Sequence, residues 1–130
     1  MKPICYPICI YQGASWILEG RFRAPDGTLL DMTDYVGQMD IRRSPRDDTP
    51  ILRLSSTTGG IVFAAVEPNI VLRISATQTA DLPTNDRRIE NWSYDLKIWQ
   101  NTDPDYTTIR LLQGNVIVEP SITRVEPAAP

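Results

Sequence analysis

The sequence predicts an all-β fold, an antiparallel sandwich of about seven short strands with one helical turn and extended ends. Three observations predict it. Apolar and polar residues alternate with a period of two over most of the chain. Turn residues (Gly, Pro, Asn, Asp) recur between the alternating runs. A single segment has helical character. Short strands at this spacing suit a sandwich or barrel, and an immunoglobulin-like sandwich fits the pattern best. A jelly roll or a small barrel is the other arrangement it permits.

The elements follow in order. Residues 1–10 contain Pro3 and Pro7 and read as an extended N-terminal arm, with the sandwich domain over 11–119 and a proline-rich tail over 120–130. Trp16, Leu18, Gly20 and Phe22 share one face of a first strand, opposite Glu19, Arg21 and Arg23. Pro25-Asp26-Gly27 turns the chain. Tyr35, Gly37, Met39 and Ile41 then line the inner face of a second strand. Residues 43–50 read as a loop, followed by a short strand over 51–55 with Leu52 and Leu54 inward. Thr57-Thr58-Gly59-Gly60 turns into Ile61-Val62-Phe63, and Ile70, Leu72 and Ile74 mark the next strand.

Ser75 to Leu82 is the predicted helical turn, with Ser75 as N-cap and Pro83 as its stop. A charged loop is expected over 85–91. Trp92, Tyr94, Leu96 and Ile98 form an apolar face, and residues 101–105 a turn. The last strand, 107–118, shifts its inner set from Ile109 and Leu111 to Val116 and Val118. That shift predicts a bulge near Gly114.

Composition narrows the function. The 130 residues include no histidine, and 13 Lys+Arg against 16 Asp+Glu leave a net charge of −3. Without histidine there is no Ser-His-Asp unit, no His-ligated metal and no imidazole acid–base group. Two cysteines are too few for an all-cysteine zinc site. Net negative charge argues against a general nucleic-acid binder. No run approaches the roughly 20 apolar residues of a membrane span. The chain reads as a soluble, non-enzymatic protein made in the cytoplasm, with no cofactor, no metal, no nucleic-acid partner and no membrane.

Few residues stand out as candidate sites. Cys5 and Cys9 are about 13 Å apart if extended, too far for a disulfide with each other. They are small apolar side chains or a bridge to another chain. Trp99 falls on the polar face of its strand, so it is an exposed partner anchor or lies under the 101–106 turn. Arg42-Arg43-Ser44-Pro45-Arg46 is followed by Asp47 and Asp48 and reads as a self-paired loop. Asp103 and Asp105 lack the spacing of an EF-hand calcium loop. Asn91-Trp92-Ser93 is a glycosylation sequon with no secretory segment to make it count.

Three stretches carry a resemblance. They are Asp31-Met32-Thr33-Asp34-Tyr35-Val36-Gly37-Gln38-Met39-Asp40-Ile41-Arg42, then Tyr94-Asp95-Leu96-Lys97-Ile98, then residues 110–124 from Arg110-Leu111-Leu112-Gln113-Gly114 to Arg124. With Gln12-Gly13-Ala14-Ser15, the chain resembles small β-sandwich structural proteins of tailed phages and prophages, and is similar to the N-terminal domain of baseplate upper proteins. Met32 and Asp34 depart mildly from that pattern; the greater departures are the Cys5/Cys9 arm and the proline-rich tail, which it lacks. The resemblance implies a virion structural protein of the tail or baseplate, an adaptor holding tail fibres or neighbouring baseplate proteins in multiple copies. Arg124 matches the family's terminal arginine and is a possible partner contact. A capsid cement or decoration protein, and a carbohydrate-binding module, are the alternative roles.

Overall fold

The alternating pattern resolves into two sheets. The structure, a computed structural model, describes residues 2–123. Its strands are β1 (Ile4–Cys5), β2 (Ile8–Tyr11), β3 (Trp16–Gly20), β4 (Tyr35–Arg42), β5 (Leu52–Ser55), β6 (Ile61–Phe63), β7 (Ile70–Ile74), β8 (Ile89–Gln100) and β9 (Ile109–Glu119). Helix α1 (Ala76–Ala80) joins β7 to β8, and α2 (Pro104–Thr107) joins β8 to β9. The larger sheet runs β1-β9-β8-β4-β5, with β2 also on β9; the smaller runs β3-β7-β6. This is an immunoglobulin-like β-sandwich: one sheet groups the last two strands with a central one, and the other is a smaller antiparallel sheet.

The inner faces are those the period-two pattern marks. Met39 and Ile41 of β4, Leu72 and Ile74 of β7, and Leu96 and Ile98 of β8 are fully buried and form one core with Val116 and Val118 of β9. Trp16, Leu18 and Phe22 are half-buried against it. Ser75 caps α1: its hydroxyl accepts from the Gln78 amide, while the Gln78 side chain accepts from the Ser75 amide.

The N-terminal stretch read as an extended arm forms two strands. β1 and β2 run parallel to β9 in one continuous register, Ile4 beside Leu112 and Tyr11 beside Glu119. Ile8 and Ile10 reach the core and are buried. The alternation Ile8-Cys9-Ile10 is thus a real strand pattern, and Pro7, which lacks an amide hydrogen, accounts for the break between β1 and β2. The sheet therefore begins before residue 11.

Three further expectations are corrected. The bulge lies at Leu111, not Gly114: Leu96 pairs with Leu112 while Lys97 pairs with Arg110, so Leu111 and Leu112 are both buried. Gly114 serves a close approach instead. A Cβ there would stand 2.7 Å from the Tyr6 carbonyl oxygen and 3.2 Å from the Pro7 nitrogen. Strand β8 begins at Ile89, inside the expected loop, and the 101–105 turn continues into α2 with Pro104 in its first turn.

Two buried polar residues hold the loops. Asn69 is fully buried; its Oδ1 accepts from the Phe22 amide at 2.8 Å, and its Nδ2 donates to the Phe22 and Leu30 carbonyls at 2.9 and 3.0 Å. The 22–30 hairpin is thereby tied to the turn that leads into β7. Thr79 is likewise buried; its hydroxyl accepts from the Gly13 amide at 3.0 Å and donates to the Ala14 carbonyl at 2.9 Å.

Candidate functional site

The residues singled out in the sequence fall on the larger sheet and its rim. Along β4 and β8 the outward positions are polar because the inward ones fill the core, so Asp40, Arg42, Ser93 and Asp95 share one surface. That surface dips to form an open cavity of about 420 Å³, with Cys5 and Arg110 at its β1–β9 side and Pro45 at its other side.

Charges on this face are matched. Arg53 donates from Nε to Asp40 Oδ1 at 2.8 Å and from Nη2 to Oδ2 at 3.1 Å, and Arg42 donates from Nη2 to Oδ2 at 2.9 Å. Partial burial pushes the Asp40 carboxyl up, but the hydrogen bonds and charge of Arg53, then of Arg42, outweigh it and hold the group below the usual carboxylate range. Arg110 pairs with Asp95 at 3.2 Å. Arg42 also donates to the Asp47 backbone carbonyl at 2.6 Å, so the loop is held through its main chain, while the ion pair of Arg42 is with Asp40 of its own strand and not with the Asp47 or Asp48 carboxylates. A face with each of these cations beside a carboxylate suits a protein surface with mixed charge better than a polyanion.

Cys5 is exposed and Cys9 half-buried, and both thiols are free. They sit on different strands of one register, Cys5 opposite Gln113 and Cys9 opposite Ile117, so the chain brings them no closer than an extended strand would. The Gln113 side-chain Nε2 donates to the Cys5 sulfur at 3.8 Å. Beside Cys9, the exposed Tyr11 phenol is raised above its ordinary range, first by the hydrogen bond its hydroxyl shares with the Cys9 sulfur and then by the charge of that thiol.

Trp99 pairs with Val36 on the outward face and is half-buried, partly available to a partner. The chain beyond it folds back: Thr107 accepts the Gln100 amide at 2.8 Å and donates to the Asp103 carbonyl at 2.6 Å. This places Tyr106 on the tip of α2, 91% exposed. Sequence reasoning missed that aromatic, because a four-residue helix has no periodicity to reveal which side chain it presents. Arg124 lies outside the described residues. Among the described residues, no three Cys, Asp or Glu side chains gather to hold a metal ion. None of the helices is long and apolar enough to cross a membrane.

The resemblance motifs serve the frame. Asp31 Oδ1 accepts from the Thr33 amide at 3.0 Å and its hydroxyl at 2.6 Å, the local turn that leads into β4. Gln12 Nε2 donates to the Ala80 and Leu82 carbonyls, both at 3.1 Å, and Oε1 accepts from the Ser121 amide at 3.4 Å. Gln12 thus ties the end of β2, the α1 corner and the exit of β9 together. Tyr94 stands opposite Gly114 in the β8–β9 register, and its hydroxyl crosses the space the glycine leaves to donate to the Tyr6 carbonyl. Burial raises the Tyr94 phenol well above its usual range, so it remains a donor.

No family model matches the chain, and no curated protein matches it. Among solved structures, the chain is similar to an extracellular domain of the voltage-gated sodium channel beta4 subunit, reported as a parallel homodimer with a role in cell–cell adhesion. The two share 10% sequence identity over 94% of this chain and 97% of that one, with a TM-score of 0.45.

Proposed function

We propose that this domain is a structural, non-catalytic protein of a phage virion, a tail or baseplate adaptor that holds tail fibres or neighbouring baseplate proteins. One observation carries the reading. The three stretches behind the resemblance fall on β4, β8 and β9, which are consecutive neighbours in one sheet. The Gln12-Gly13-Ala14 start locks the rim of that same sheet. The residues behind the resemblance thus lie together in one sheet of this chain, which supports the reading.

The geometry suits an adaptor. Ile4 lies beside the start of β9 and Tyr11 beside its end, where the chain leaves past Ser121. Residues 2 and 123 thus face opposite ends of the sheet. Neighbours attached at the two ends would be held apart by the length of the sandwich. On this reading the protein is made in the host cytoplasm, needs no cofactor, and is built into the particle in multiple copies beside other virion proteins.

Quantitative mass spectrometry of purified particles tests it. The expected copy number is a small multiple of the tail's rotational symmetry. Hundreds of copies would move the protein to the head as a decoration protein. Its absence from washed, intact particles would refute the virion role.

A further inference from the structure

The smaller sheet has an unusual gap. In the immunoglobulin arrangement the sheet that holds the second strand also holds the first, beside it. Here both N-terminal strands have joined β9, and β3 pairs with β7 alone among the described residues. The edge of β3 is therefore open. Its sequence, Trp16-Ile17-Leu18-Glu19-Gly20, carries no proline, lysine or bulge of the kind that guards an edge.

The backbone groups at this edge can be assigned. The Arg73 amide donates to the Gly60 carbonyl at 2.9 Å, toward β6, so the alternation of an antiparallel ladder turns Leu72 toward β3. Leu18, opposite Leu72, spends its N–H and C=O on β7. Ile17 and Glu19 therefore point theirs outward. Under the edge runs an apolar groove of about 200 Å³, between Leu18 and Phe22 on one side and Ile4 and Tyr6 on the other. Ile4 and Tyr6 are 53% and 41% exposed, and Ile17 is 60% exposed.

We propose that a second copy of this chain closes the edge, its β3 pairing antiparallel with the first about a two-fold axis through Leu18. The pairing is self-complementary. Ile17 faces the other copy's Glu19 and Glu19 faces its Ile17, which makes four backbone hydrogen bonds and leaves the outward groups of both residues satisfied. Leu18 of each copy is carried over the other's groove and covers Ile4 and Tyr6. Charge selects this direction. A parallel pairing in register would set Glu19 against Glu19, whereas the antiparallel one sets each carboxylate against an isoleucine and leaves it beside its own Arg21, 3.8 Å away. A five-residue edge covers less than a standard interface, so the association is weak and matters where copies are concentrated, as in a particle. It does not depend on the virion reading.

Sedimentation of the full chain over a wide concentration range, with hydrogen exchange on the same samples, tests the proposal. The expected result is a monomer–dimer equilibrium in which the Ile17 and Glu19 amides gain protection as concentration rises. The Trp16, Leu18 and Gly20 amides, committed to β7, are protected throughout. Ile17→Pro removes one outward donor without touching the β7 ladder, and Ile4→Glu charges the groove from the other sheet; each raises the dissociation constant tenfold or more. A monomer at every concentration overturns the proposal. So does a dimer in which those two amides exchange as in the monomer, or a folded Ile17→Pro variant that associates like the wild type.

Discussion

Replacing Asn69 by alanine tests the claim that one buried side chain holds the loop side of the sandwich. The substitution leaves two backbone groups without partners, the Phe22 amide and the Leu30 carbonyl, and takes one of two donors from the Phe22 carbonyl, which still accepts from the Leu30 amide at 3.0 Å. Leaving a buried polar group unpaired costs about 1–3 kcal/mol. Taking about 1 kcal/mol for each unpaired group, toward the low end because the loop can move, and less for the Phe22 carbonyl, gives a loss of about 2–3 kcal/mol. The unfolding entropy of a 130-residue chain is about 0.27 kcal/mol/K, so the midpoint falls by about 7–11 °C. Calorimetry or urea denaturation with matched m-values measures it. Asn69→Asp sharpens the test, since Oδ1 can still accept from Phe22 while the second oxygen faces two carbonyls. That carboxyl is pushed upward in the folded state, so its protonated form folds better and the variant loses stability as pH rises from 4 to 7. The reasoning is refuted if Asn69→Ala costs less than about 1 kcal/mol, or if Asn69→Asp matches the wild type at pH 7.

Three other outcomes follow from the same structure. Gly114→Ala places a Cβ against the Tyr6 backbone at 2.7 Å, which forces β1 off β9; the expected loss is about 2–4 kcal/mol, with amides of residues 4–11 the first to exchange. Asp40→Asn removes the charge shared with Arg53 and Arg42 and costs about 1–2 kcal/mol at pH 7. Because the folded-state carboxyl lies below its unfolded value, that contribution is present above about pH 4 and disappears as pH falls through the lower, folded value, so chemical denaturation of the two proteins converges in acid. Mild oxidation of concentrated protein links chains through exposed Cys5 in preference to half-buried Cys9, and a dimer band in non-reducing electrophoresis is lost in Cys5→Ser and retained in Cys9→Ser.

What the sequence makes legible here is local. The alternation over 35–42, 70–74 and 92–98 marks the inner faces correctly because both sheets are buried on one side only. Ser75 declares its helix because a cap is a contact between residues three apart. Pairings across about a hundred residues leave no such mark: nothing near Ile8 or Ile10 says that Val116 and Val118 are their neighbours. A glycine in an irregular strand reads equally as a bulge or as room for another backbone, and at Gly114 it is the second. Asn69, inside Glu67-Pro68-Asn69, looks like an ordinary turn residue, and only burial distinguishes it. The candidate site follows the same rule: the Arg42–Asp40 pair follows from two residues that share one face of β4, whereas the half-burial of Trp99 and the exposure of Tyr106 depend on how α2 folds back.

The parallel seat of β1 and β2 on β9 also sets an order of events during synthesis. Residues 4–11 wait for β9, more than a hundred residues later, before Ile8 and Ile10 can be covered. A nascent chain can assemble β3, β6 and β7, and set β4 against β5 and β8, with its N-terminal apolar residues still in water. Contacts of such long sequence separation make folding slow and leave apolar surface open to stray association meanwhile. The large sheet is thus sealed in one late step, once β9 is available to β1 and β2.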